Sequence, residues 1–203
     1  KDGKKSLISG IPEIAYGGQG GLGDILPHPK FEQNNLLYLS FVASTNNGRT
    51  RGARVIRAKL ENGKLINHQL VWEQLPHTKG RGHFSHRLAF GPEGSSHEGM
   101  LFISSGDRQI MHPAQTLDNN LGKIIRLHDD GRVPVDNPYA DMGFPANTIW
   151  TLGHRNVLGL SFAPNHELWA NEMGPLHGDE LNLVYKGENY GWPVVSQGKE
   201  YWG

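Results

Sequence analysis

The sequence predicts an all-β chain folded as part of a β-propeller, and three observations carry that prediction. Its apolar residues come in short runs, such as Leu36 to Val42, Ala53 to Leu60 and Leu101 to Ser104, and no stretch sustains a 3.6-residue apolar period over a dozen residues. Glycine and proline, 27 and 12 of 203 residues, are spread along the chain rather than gathered in one linker, which marks many turns joining short strands. The third observation is a repeat. Leu26-Pro27-His28-Pro29, Ala89-Phe90-Gly91-Pro92 and Ser161-Phe162-Ala163-Pro164 each close an apolar strand at a proline turn and are followed by a second strand. They recur at intervals of roughly 60 to 70 residues, which suits a propeller blade with long loops. Three unrelated hairpins would also share so short a turn; strands on both sides of every turn favour the blade.

Propellers typically close with 4 to 8 blades, and at this interval the chain holds roughly three. An open arc leaves strand edges unpaired. The expectation is therefore a fragment: one partial propeller domain over residues 1–203, with further blades beyond its C-terminal end and a strand or more before Lys1.

Composition narrows the function. Twenty basic residues balance 20 acidic ones, so nothing draws the chain to nucleic acid or an anionic membrane surface. No apolar run reaches the roughly 20 residues of a membrane helix, and Lys1-Asp2-Gly3-Lys4-Lys5 lacks the apolar core of a signal peptide. There is no cysteine, hence no disulfide, thiolate metal site or cysteine nucleophile.

Taken in order, Gly17 to Gly23 is a glycine-rich loop whose spacing matches neither a Walker A motif nor a dinucleotide fingerprint. Leu36 to Val42 reads as a strand. Ala53 to Leu60 partly alternates and reads as a half-buried one, and Glu61-Asn62-Gly63-Lys64 is a turn into a strand around Leu70 to Glu73. Next comes Gly82-His83-Phe84-Ser85-His86-Arg87 leading into an apolar hairpin that ends in Ser105-Gly106-Asp107. A hairpin brings the residue before its first strand and the residue after its second to one sheet edge, making His83 and Asp107 candidate neighbours. A carboxylate beside an imidazole fixes its tautomer and stabilises the imidazolium, as a general base near neutral pH requires. Lys123 to Leu127 is a strand; His128-Asp129-Asp130-Gly131-Arg132 is a turn rather than a metal site, and Val133 to Pro145 an extended loop. His154-Arg155-Asn156, between apolar segments, is either a solvated edge or a functional cluster. If neighbouring blades converge on one mouth, Arg155 reaches the space of His83 and offers a fixed cation for developing negative charge. The carboxylates of Glu172 to Glu180, near Gly and Pro turns with free carbonyls, are either a solvated acidic loop, since no EF-hand pattern is present, or a source of the hard oxygens calcium prefers.

Gly18-Gln19-Gly20-Gly21-Leu22, His83 before Arg87-Leu88, Gly106-Asp107, Leu152-Gly153-His154-Arg155-Asn156, Glu172-Met173-Gly174-Pro175 before Asp179-Glu180-Leu181-Asn182, and Gly187-Glu188-Asn189-Tyr190-Gly191-Trp192-Pro193 together resemble the soluble PQQ-dependent aldose sugar dehydrogenases, the glucose and sorbosone dehydrogenase family. The ordered series runs from about Gly17 to Pro193 and is more specific than any one motif. The resemblance implies a six-bladed propeller, the cofactors PQQ and calcium, an aldose substrate, an external electron acceptor and a periplasmic or secreted location. His83 matches the family's general base and Asp107 the carboxylate supporting it. Gln19 matches a PQQ contact, and Arg155 with Asn156 the pair beside the quinone oxygens. The Gly174 and Pro175 carbonyls match those holding the calcium at PQQ; Glu180 and the Tyr190 carbonyl resemble ligands of a second, structural calcium. Gly82 departs from members that carry a substrate-contacting aspartate there, so glucose specificity is not implied. The family's further cationic residues for the PQQ carboxylates belong to blades beyond this chain. The rival readings are a non-catalytic sugar- or protein-binding propeller and a calcium-dependent lactonase.

Overall fold

The computed structural model describes residues 3–199. Its first sheet is built around the apolar run at Leu36. Strand β1 (Leu22–Pro27) is followed by a four-residue helix, α1 (Phe31–Asn34), and by β2 (Leu36–Thr45), β3 (Thr50–Glu61) and β4 (Lys64–Glu73), paired antiparallel in the order β1-β2-β3-β4. Because successive side chains of a strand face opposite ways, Leu37, Leu39, Phe41 and Ala43 pack on one face of the sheet with Ile56, Ala58 and Leu65, while Tyr38 turns to the other. The β3–β4 connection is the expected Asn62-Gly63 turn. Its φ angles of 48° and 75° are those a two-residue hairpin turn demands, which glycine and asparagine adopt most readily.

The second sheet comprises β5 (Ser85–Phe90), β6 (Met100–Ser105), β7 (Lys123–His128) and β8 (Ile149–Leu152), again in sequence order; β9 (Val157–Phe162), β10 (Leu168–Glu172) and β11 (Glu180–Leu183) form a third. The three proline turns end β1, β5 and β9, the first strand of each sheet, so the sequence repeat is the structural repeat. Short 3-10 turns at 112–115, 140–142 and 146–148 complete the helical content of the described residues. Two of them lie in or beside the Val133 to Pro145 connection, which is thus less extended than its sequence suggests.

The sheets stack like pages. Leu101 and Ile103 of β6 pack with Tyr38, Val55 and Trp72 of the first sheet, while Phe102 between them faces Trp150, Val157 and Leu168 towards the third. Along the stack β1 packs against β5 and β5 against β9. Three first strands therefore stand side by side, with their N-terminal ends together. At the opposite end the turn after β7 ties the sheets: Asp129 Oδ2 meets Arg57 Nη1 at 3.2 Å, Tyr38 donates its hydroxyl to the Asp129 carbonyl, and Asp130 binds Arg132. The Asp-Asp pair lies in a turn, as expected, with both carboxylates ion-paired.

Candidate active site

Four sequence-predicted residues lie at the end of the stack where the first strands begin. Gln19 precedes β1, His83 precedes β5, and Arg155 and Asn156 precede β9. Asp107 enters from the exit of β6. His83 Nδ1 stands 2.7 Å from Asp107 Oδ1, with His83 4% and Asp107 0% exposed. Strand register explains the match. Leu88 pairs with Ile103 but Ser85 with Ser105, so a bulge between them slips the hairpin by one residue and sets His83 opposite Asp107 rather than Arg108. The bulge is visible in the backbone: His83, Ser85 and His86 have φ of 49°, 57° and 55°, and Arg108 and Gln109 have 58° and 61°.

Asp107 is fully engaged. Oδ1 accepts the Gln109 N–H at 2.9 Å, and Oδ2 accepts the Trp192 indole N–H at 2.8 Å. A carboxylate ringed by N–H donors acts as acceptor, which assigns the proton of its third contact to His83 Nδ1 and leaves Nε2 as the basic nitrogen. The His83 backbone is held as well: its N–H donates to Gln19 Oε1 at 2.7 Å, and its carbonyl accepts from Arg108 N–H. The Arg108 guanidinium stacks 3.7 Å over Phe84 and binds the carbonyls of Gly82, Gly80 and Arg51. Burial pulls its pKa down to about 10, so it remains a cation at neutral pH. The amide end of Gln109 fills the space that a side chain at Gly82 would need.

Arg155 and Asn156 join this cluster. The Arg155 carbonyl accepts the Asp107 N–H at 2.8 Å, and Ser85 Oγ donates to Asn156 Oδ1 at 3.0 Å. Arg155 is buried; its Nη1 donates to the Met173 carbonyl, its guanidinium lies 5.2 Å from the Trp192 ring centre, and its Nε has no partner. Behind it Glu172 at the end of β10 accepts Arg155 N–H at 2.7 Å and contacts His154 Nδ1 at 3.0 Å. Burial works to raise the Glu172 carboxyl, but the charge and hydrogen bond of His154 and the Arg155 and Asn156 amides hold it below its ordinary value. His154 also reaches Thr151 Oγ1 and stacks on Tyr190 at 4.7 Å.

The proposed calcium ligands are less gathered. Gly174 donates its N–H to Asp179 Oδ1, and the carbonyls of His177 and Gly178 close over the space a Cβ at 174 would occupy. Glu180, with Glu172, Met173 and Asp179, lines a concavity of about 340 Å³ that does not include Tyr190. Tyr190 lies against His154, its hydroxyl donating to the Leu183 carbonyl at 2.6 Å. Among the described residues no three His, Cys, Asp or Glu side chains form a metal-holding group.

Two residues at the site carry little sequence signal. Trp192 reads as a packing aromatic yet is a donor to Asp107. His86, at the bulge, is buried with Nδ1 2.8 Å from Ser40 Oγ, and its ring packs where a side chain at Gly23 would stand. Burial, partly opposed by the charge of Asp24, pushes its pKa from 6.5 down to about 4. The unfolded chain therefore takes up this proton first. The stability contributed by neutral His86 is fully present above pH 6.5 and is lost as pH falls toward about 4. Between pH 7 and 5 the wild type is expected to lose about 2 kcal/mol more unfolding free energy than His86→Gln, read by urea denaturation. Parallel pH dependences would contradict a buried neutral His86.

The Glucose / Sorbosone dehydrogenase family model matches residues 1–203. Quinoprotein glucose dehydrogenase B of Acinetobacter calcoaceticus is 32% identical over 232 residues, covering 98% of this chain and 46% of that protein. The structure superposes on the soluble aldose sugar dehydrogenase of Escherichia coli in its apo form with a TM-score of 0.91 at 36% identity, covering 100% of this chain and 58% of the other. For the PQQ-bound aldose sugar dehydrogenase of Streptomyces coelicolor the TM-score is 0.77 at 30% identity, with 91% and 52% covered. The chain spans about half the length of three curated relatives it matches, between 45% and 53%.

Proposed function

The chain belongs to the glucose/sorbosone dehydrogenase family, and from that premise we propose that it is a quinoprotein oxidoreductase, oxidising the C1 hydroxyl of cyclic aldoses to lactones with PQQ as cofactor and a histidine as general base. The observation that carries this reading is the buried His83–Asp107 contact of 2.7 Å, which leaves His83 Nε2 as the basic nitrogen, beside a buried Arg155 whose Nε has no partner. The three sheets are then blades of a six-bladed propeller. The protein works in the periplasm or outside the cell and passes its electrons to an external acceptor.

The residues present fit the cofactors. An unpartnered buried guanidinium nitrogen suits an acceptor-rich, anionic group, and the carbonyl-lined turn at Gly174 supplies hard oxygens of the kind calcium takes. Gln19, Arg155 and Asn156 would hold PQQ, the carbonyls of Gly174 and Pro175 the adjoining calcium, and Glu180 with the Tyr190 carbonyl a structural one. When bound, PQQ supplies a two-electron acceptor for the C1 hydride, with calcium as its Lewis acid. His83 Nε2 takes the C1 hydroxyl proton, and Asp107 orients the imidazole through Nδ1 and stabilises the imidazolium. Arg155 presents a fixed positive charge, held in place by the Met173 carbonyl. No alcohol donor is needed at Asp107, whose three N–H contacts keep it a pure acceptor.

Reconstitution with PQQ and calcium, followed by dye reduction on adding a panel of aldoses, tests the proposal. Reduction that needs both additions is the expected result. Lactone hydrolysis without quinone would instead make the chain a lactonase, and sugar binding without reduction a binding propeller.

A further inference from the structure

We propose that Trp192 is a positioning residue for the His83–Asp107 pair. The proposal rests on the dehydrogenase reading only for its effect on turnover; its structural content stands apart. The indole N–H reaches Asp107 Oδ2 at 2.8 Å, on the carboxylate oxygen opposite the one that faces His83. With Asp107 wholly buried, an Oδ2 without a donor is costly, so the indole holds the carboxylate in the one orientation that presents Oδ1 to the imidazole. The same ring lies under the Arg155 guanidinium, 5.2 Å away. One side chain therefore touches both the carboxylate of the base and the cation of the site.

Trp192 is itself placed from a distance. The segment after the third sheet runs beside β8: Leu152 N–H donates to the Glu188 carbonyl and Tyr190 N–H to the Leu152 carbonyl. Gly191, with φ of 92°, then turns the chain inward. Trp192 N–H donates to the Gly153 carbonyl at 2.9 Å, and its own carbonyl accepts from Gln115 Nε2 at 2.7 Å. Backbone bonds on both sides of the residue leave the ring little freedom. The base, which belongs to the second sheet, is thereby pinned to the chain that follows the third.

The test has an arm that does not need PQQ. Imidazole nitrogen NMR of the cofactor-free protein, with the His83 signals identified by their loss in His83→Gln, is expected to show the Nδ1–H tautomer in the wild type. Trp192→Phe keeps a ring under Arg155 but removes the donor. It is expected to shift His83 to a mixture of tautomers and, once reconstituted, to lower kcat about 10-fold with KM changed less than about twofold. In an Asp107→Asn background the same replacement is expected to raise turnover, because the two residues act as a unit. In the wild type the Trp192 indole proton should shift on His83→Gln, a reading that stands even if the Phe variant does not fold. Wild-type His83 signals in Trp192→Phe, or an indole proton indifferent to His83→Gln, overturn the proposal. If the protein reduces no dye with any aldose, the functional reading fails while the imidazole signals still judge the positioning role.

Discussion

Replacing His83 by glutamine is expected to lower turnover by about 100- to 10,000-fold while leaving PQQ binding intact, the range contributed by a positioned general base. Glutamine can still donate to Asp107, so the carboxylate keeps its partner and no buried charge is stranded. The loop keeps its anchors because they are backbone bonds: His83 N–H to Gln19 Oε1 and Arg108 N–H to the His83 carbonyl. The left-handed φ of 49° at this position is one that Gln109 also adopts, at 61°, so glutamine can take it. What disappears is the basic nitrogen. Dye reduction measures the loss, and an absorbance titration with PQQ checks that binding survives. Near-normal turnover would mean that the proton leaves by another route and that His83 is not the base.

The placement of this residue shows how much of the molecule is legible in its sequence. The repeated proline turns mark the ends of β1, β5 and β9, and Asn62-Gly63 marks its hairpin, because these are local demands of the backbone. The pairing of His83 with Asp107 follows from hairpin logic alone, but its register does not. The bulge between Ser85 and Leu88 depends on His86 finding Ser40 in the neighbouring sheet, a contact between residues far apart in sequence. Trp192 is invisible as a donor for the same reason: its partner Asp107 lies just past the end of β6, 85 residues away in sequence, and an isolated tryptophan near a glycine-proline turn looks like packing. Glu172 stands out in the sequence as an acidic residue near a turn and as part of a family motif, with no role attached. Its work, holding His154 and the Arg155 amide, depends on where β10 ends relative to the entry of β9. The proposed calcium ligands Gly174, Pro175 and Tyr190 are the least legible, since backbone carbonyls leave no residue-type signature.

Asp107→Asn is expected to be the most damaging single-atom change in the site, lowering kcat by on the order of 1,000- to 10,000-fold, as loss of the orienting carboxylate does in a catalytic triad. The wild-type carboxylate accepts three N–H groups, from His83 and Gln109 on Oδ1 and from Trp192 on Oδ2. An amide has one oxygen and two donors, so it cannot serve both sides. The indole N–H is buried and held by its own backbone, and it claims the oxygen. The amide NH₂ then faces His83 and drives the imidazole into the Nε2–H tautomer, with its lone pair directed at the introduced amide in place of the substrate. A donor also meets the Gln109 N–H, so this half-buried contact is lost and stability falls as well. Urea denaturation and dye reduction read the two losses separately. Adding Trp192→Phe releases the amide oxygen to turn toward His83 and Gln109, which restores the Nδ1–H tautomer and is expected to return about 10-fold of the lost turnover. An Asn variant that keeps turnover within about 10-fold of wild type would show that the imidazole does not depend on this carboxylate for its orientation, and a double variant no better than the single one would show that the indole does not choose which way the amide faces.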